Sequence, residues 1–140
     1  MSLNVHTQTI GKHLLVRIGG AVDLETAPRL THVLVDAAAS TPNAPGMIID
    51  LTHTTFFGAS GLTVLARVAS HRHDSGFSLA VIAPRHGIVR RVIAITQLMD
   101  MAPVTDTVLE AQRLLQAHHA GKWSALPRSR RFPDVLRPAP

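Results

Sequence analysis

Ser60 is the residue of this chain best placed for chemistry. It lies in Ile48-Ile49-Asp50-Leu51-Thr52-His53-Thr54-Thr55-Phe56-Phe57-Gly58-Ala59-Ser60-Gly61-Leu62. That stretch opens as a β-branched apolar run, the mark of a buried strand. It closes on small residues before an apolar-periodic segment begins, so the pattern predicts strand, tight turn, helix. Ser60 falls at the predicted helix start, where backbone N–H groups are free and the helix dipole is positive. A hydroxyl there is a good N-cap, and a phosphate is welcome at the same place. The two roles are compatible.

Other residue types that could do chemistry lack the spacing for it. Nine histidines invite a metal, but His71 and His73 are two apart on a predicted helix and point to different faces, and His118-His119 are adjacent at a helix end. No spacing matches a zinc site, so no metal and no cofactor are expected. Asp50 ends a strand with no paired nucleophile or base, and no catalytic residue is assigned. Gly58-x-x-Gly61 lacks the lysine and the longer glycine spacing of a phosphate-binding loop. Asp23 sits just before a predicted helix, where a carboxylate suits the dipole. Arg90-Arg91 reads as a solvated face.

The elements that must position these residues follow from pattern. Leu3 to Ile10 alternates as an edge strand, Gly11-Lys12 turns, and His13 to Ile18 is a second strand ended by Gly19-Gly20. Thr26 as N-cap and Pro28 in the first turn open a helix with Ala27, Leu30, Leu34, Ala37 and Ala38 on one face. Met47 to Leu51 is the third strand. A second helix runs from Leu62 to about Asp74 and buries Leu62, Leu65, Ala66 and Ala69. Phe77 to Ile82 is a fourth strand. Gly87 to Ile95 is a short helix with Ile88, Val92 and Ile95 inward and Arg90-Arg91 outward. Leu98 to Val104 is a short edge strand, and Asp106 caps a last helix reaching His118. A hairpin followed by β-α alternation means an α/β fold, a mixed sheet with helices packed on it.

The chain has no cysteine, and nearly half of its 140 residues are apolar, which suits one globular domain. No secretory signal and no apolar run near the roughly 18 residues of a spanning helix are seen, so a soluble, cytoplasmic protein is expected. The net charge is +5, but five basic residues against one acid put +4 of it in residues 121–140. Residues 1–120 are close to neutral. The end of the chain reads as a basic, proline-rich, disordered tail, and polynucleotide binding there would be weak and unspecific.

Three segments together resemble the STAS domain of bacterial anti-sigma factor antagonists. They are Gly20-Ala21-Val22-Asp23-Leu24 with Thr26-Ala27-Pro28, then Asp50-Leu51 through Phe56-Phe57-Gly58-Ala59-Ser60-Gly61-Leu62, then Val89-Arg90-Arg91-Val92-Ile93 to Leu98. The resemblance spans about Val5 to His118. It implies a STAS fold for residues 1–120 and a transcription-regulatory function: the unphosphorylated protein binds an anti-sigma factor and frees the sigma factor. It implies that the partner is a serine kinase with a histidine-kinase-like ATP fold, that Ser60 is the phosphoacceptor, and that a phosphatase resets it. The implied partner surface is Asp23, Thr26, Gly58, Ala59, Ser60, Gly61 and Leu62. The protein would be a binding protein and kinase substrate, not an enzyme, with no membrane and no specific nucleic acid as partner. The chain departs from the family pattern at Gly58, where an acid is expected. That departure argues against efficient phosphorylation and leaves partner binding intact. The alternative is a STAS scaffold or sensor module without phospho-control, acting by constitutive protein pairing or ligand binding.

Overall fold

The structure, a computed structural model, describes residues 2–73, 78–95 and 102–119. The tail expected at 121–140, and much of the edge strand expected at Leu98 to Val104, lie outside the described residues. The elements run β1 (Leu3–Ile10), β2 (His13–Val22), α1 (Ala27–Ser40), β3 (Gly46–Asp50), β4 (Thr54–Phe57), α2 (Ala59–His73), β5 (Ser78–Ile82), α3 (Ile88–Ile95), β6 (Val104–Thr105) and α4 (Val108–His119). One six-stranded mixed sheet has the order β1-β2-β3-β5-β6, with β4 also paired to β2. Only β1–β2 is antiparallel.

Helices cover both faces of the central strands, which is why Leu14–Val16, Met47–Ile49 and Leu79–Ile82 are continuous apolar runs. Leu14, Val16, Ile18, Met47, Ile49 and Val81 point to one face, where Leu30 and Leu34 of α1, Leu65 of α2 and Ile93 of α3 meet them. Leu15, Ile48, Ala80 and Ile82 point the other way, onto Ala111 and Leu115 of α4. Each fully buried Leu or Ile contributes about 1.5–3 kcal/mol relative to exposure.

Several details differ from the sequence expectation, each for a local reason. β2 does not end at Gly19-Gly20 but continues to Val22. Gly20 takes φ +88°, a conformation that favours glycine, and a Cβ there would lie 2.1 Å from the Ser2 carbonyl oxygen. The register shifts between Gly20 and Ala21. Thr55 of β4 is the extra residue of this bulge, and β2 pairs with β3 over Leu14–Arg17 and with β4 over Gly20–Val22. β4 itself was not expected. The run read as one strand and a tight turn breaks at Thr52-His53, because the Asp50 carboxylate accepts from the Thr52 backbone N–H (2.9 Å) and from the Thr52 hydroxyl. Arg17, paired to Asp50 across the ladder, holds that carboxylate at 3.7 Å. Asp50 therefore builds a turn.

In α3 Val89 and Ile93 are buried and Val92 is half-buried against the main core, while Ile88 is exposed; the side chain of Ile95 lies outside the described residues. Arg90 is not on a solvated face: its Nη1 donates to the Ala83 carbonyl at 2.7 Å and faces Asp106 at 3.6 Å. The cap of α4 is Thr107, whose hydroxyl accepts from the Glu110 N–H at 3.2 Å. Asp106, the expected cap, accepts instead from the Arg85 N–H at 2.8 Å.

Candidate functional site

The C-terminal ends of β2 and β4 bring two turns together. Each strand leads into a helix, β2 into α1 and β4 into α2. The Gly58 N–H donates to the Val22 carbonyl at 3.0 Å, so the residues that follow, Asp23 and Ser60, belong to adjacent loops at one end of the sheet.

The Asp23 turn is internally closed. Asp23 Oδ1 accepts from the N–H of Thr26 (2.9 Å) and of Glu25 (3.0 Å). The Thr26 hydroxyl accepts from the Asp23 N–H at 3.0 Å and donates to the Ala21 carbonyl at 2.8 Å. Thr26 therefore does not cap α1 with its side chain, as expected from sequence; it ties the turn. The hydrogen bond from the Thr26 backbone, joined by that from its side chain and from the Glu25 backbone, outweighs desolvation and holds the Asp23 carboxyl below its ordinary value. Asp23 is thus a fixed anion, with Oδ2 taking no bond from any described residue.

The Ser60 junction is shaped by glycines and by Phe57. α2 begins at Ala59, and the Gly58 carbonyl accepts from the N–H groups of Gly61 (3.0 Å) and Leu62 (3.3 Å). Gly58 is consequently the cap position and Ser60 lies in the first turn, two residues past the cap position, which the sequence suggested for Ser60 itself. The Ser60 side chain is half-buried and bonds to no described residue. Gly61 is buried, and a Cβ on it would come 2.8 Å from the Phe57 ring. Leu62 packs partly against the main core. At Gly58 a Cβ would meet the Phe56 ring at 3.2 Å and, in ordinary contact, the Val22 carbonyl oxygen at 3.8 Å.

Of the residues singled out from sequence, Asp23, Gly58, Ala59 and Ser60 therefore reach the surface here. Thr26, Gly61 and Leu62 support them from within. Sequence reasoning missed three exposed apolar side chains at this end of the sheet: Leu24 (83 % exposed), Phe56 (47 %) and Ile88 (70 %). A signal for Phe56 exists. Phe56-Phe57 are consecutive on a strand, so they must point to opposite faces. Among the described residues no three His, Cys, Asp or Glu cluster to hold a metal ion, and none of the helices is long and apolar enough to cross a membrane.

Comparison with known proteins gives the family. The STAS domain profile matches residues 4–111. The anti-sigma-F factor antagonist RsfB of Mycobacterium tuberculosis is 33 % identical over 90 residues, 62 % of this chain and 70 % of that protein. The crystal structure of an anti-sigma factor antagonist from Mycobacterium paratuberculosis superposes with a TM-score of 0.66 at 25 % identity, covering 82 % of this chain and 95 % of that one. SpoIIAA in its unphosphorylated form shares the fold at 16 % identity, with a TM-score of 0.63 over 81 % of this chain and 97 % of that chain. With β2, β4 and α2 arranged around the Asp23 and Ser60 turns, and with these relatives, the chain belongs to the STAS domain family, alongside the anti-sigma factor antagonists.

Proposed function

We propose that this protein is an anti-sigma factor antagonist that docks its anti-sigma factor on the end of the sheet carrying Asp23, Leu24, Phe56, Gly58, Ala59 and Ser60, and so relieves inhibition of a sigma factor. The observation that carries the reading is the pairing of a fixed Asp23 anion with a half-exposed, unbonded Ser60 hydroxyl on adjacent turns. The names of the mycobacterial relatives support the choice of partner. The partner is a serine kinase that modifies Ser60, and a phosphatase resets it. A phosphate adds a charge of about −1.5 to −2. On a surface that exposes the apolar side chains of Leu24 and Phe56, it must be desolvated on docking, and the complex is released.

One observation favours the alternative. Gly58 lacks the family's carboxylate, and a Cβ there would come within 3.2 Å of the Phe56 ring. A module so altered could pair constitutively, without phospho-control.

The deciding experiment is binding to the purified anti-sigma partner, with intact-mass spectrometry after kinase and ATP. Under the proposed switch the wild type gains one phosphate and loses affinity, Ser60→Ala binds and ignores ATP, and Ser60→Asp binds more weakly. A wild type that gains no phosphate, with Ser60→Asp binding as tightly as wild type, hands the function to the constitutive module. A failure to bind any anti-sigma factor removes the antagonist reading and leaves the scaffold or sensor module.

A further inference from the structure

The two edges of the sheet are treated differently. β6, at one edge, is two residues long, too short to template another strand. β1, at the other, is eight residues long and pairs with β2 in unbroken register from Leu3↔Gly20 to Ile10↔His13. It contains no proline, lysine or carboxylate, and no bulge interrupts it. These are the devices by which natural sheets blunt an exposed edge, and β1 has none of them.

Which backbone groups are open follows from the hairpin. A two-residue turn, Gly11-Lys12, makes Ile10 and His13 a hydrogen-bonded pair. Even-numbered residues of β1 therefore bond to β2, and odd-numbered ones direct N–H and C=O to the free edge. Two bonds agree with this parity. The Ser2 carbonyl accepts from Ala21 of β2 at 3.1 Å, and the Leu3 carbonyl, facing outward, accepts from Arg29 Nη1 of α1 at 3.2 Å. Arg29 closes the edge at Leu3. Among the described residues nothing pairs with the outward groups of Val5, Thr7 and Thr9.

We propose that this open edge pairs antiparallel with β1 of a second copy of the chain, about a two-fold axis at Thr7. Only this register engages all three open residues: Thr7 with Thr7 of the second copy, Val5 with its Thr9, and Thr9 with its Val5. Two bonds for each bonded pair give about six between the chains. On the α1 side the contacts are Thr–Thr and Val–Thr, and on the other side His6 meets Gln8, so no like charges are opposed. An open groove of about 390 Å³ between β1 and α1, lined by Thr7, Thr9, Val33, Asp36 and Ser40, leaves room beside the edge for the incoming side chains. The interface is isologous and closes at two chains. It uses residues distinct from those around Ser60, so it stands or falls separately from the proposed function.

The test is sedimentation velocity on the full chain over a wide dilution series. The wild type should show a species of twice the chain mass that grows with concentration. Thr7→Lys and Thr7→Glu each place like charges opposite one another at the axis, and each should sediment at the mass of one chain. Mixing the two variants should restore the doubled mass. Thr7 is exposed and its amide makes no bond to β2, so both variants should melt near the wild type. If one fails to fold, the other and Thr7→Pro, which removes only the outward donor, decide. A wild type that stays at one chain mass throughout, doubled mass persisting in the single variants, or a mixture that stays monomeric overturns the proposal.

Discussion

Asp23 and Ser60 become neighbours through one backbone bond, Gly58 N–H to the Val22 carbonyl, and the side chains around them divide into those that present and those that support. Gly61 supports: its missing Cβ makes room for the Phe57 ring. Gly61→Ala should destabilise by about 1–3 kcal/mol through that overpacking, whereas Gly58→Asp meets most closely the edge of an exposed ring and should fold with nearly wild-type stability. Denaturant melts of the two variants check the contrast. Asp23 gives a pH signature. Its folded carboxyl titrates below the ordinary aspartate value of 3.8, so the native state binds fewer protons than the unfolded chain near that value. The stabilisation from this turn is complete above the unfolded value and is lost as pH falls through the folded one. Asp23→Asn should flatten the acid limb of the stability curve in that window, as read by urea midpoints from neutral to acid pH. The sequence made Ser60 legible as a helix-start hydroxyl, and the helix start is there. What it could not show is that Gly58 would take the cap. That follows from the Val22–Gly58 bond, a contact between residues far apart in the chain.

At the scale of elements, the strands and helices whose apolar residues keep a regular period were readable: β1, α1, β3, α2 and β5 lie within a few residues of their expected places. The failures sit where a single residue's environment decides. Gly19-Gly20 looks like a stop, yet β2 runs through it, because Gly20 pairs with Leu3 of β1 on one side and with Thr54 of β4 on the other. Gly20→Ala forces a Cβ onto the Ser2 carbonyl at a positive φ and should cost about 3 kcal/mol or more, detected as a large fall in melting temperature. In α3 Ile88 and Val89 are equally apolar, so pattern cannot choose between them; in the structure Val89 is buried, Ile88 is exposed, and Arg90 beside them bonds to the Ala83 carbonyl. At the start of α4, Asp106 and Thr107 are both good caps. The structure uses Asp106 to hold Arg85 and Arg90, and Thr107 to cap. Thr107→Ala should cost about 1 kcal/mol, measured as a shift of the urea midpoint at unchanged slope.

For the molecule as a whole, the sheet is packed unequally. α1, α2 and α3 share one large core, while among the described residues α4 is the helix that covers the other face over Leu15, Ile48, Ala80 and Ile82. Amides of α4 should exchange through a lower-energy opening than those of β2 and β3, in hydrogen exchange followed by mass spectrometry. The division of β2 between a hairpin and two parallel partners also has a kinetic consequence. Its first edge is met by β1, its immediate neighbour in sequence, across a two-residue turn. A hairpin of that kind closes in about 1–10 μs. Its second edge must wait for residues 46–57, which arrive only after the whole of α1. Loop closure has to be accomplished before those distant contacts return anything. On a ribosome, where the N-terminus emerges first, the β1–β2 ribbon precedes its own lane-mates, and α1, laid across it with Leu30 and Leu34, is the segment able to shelter it until they appear.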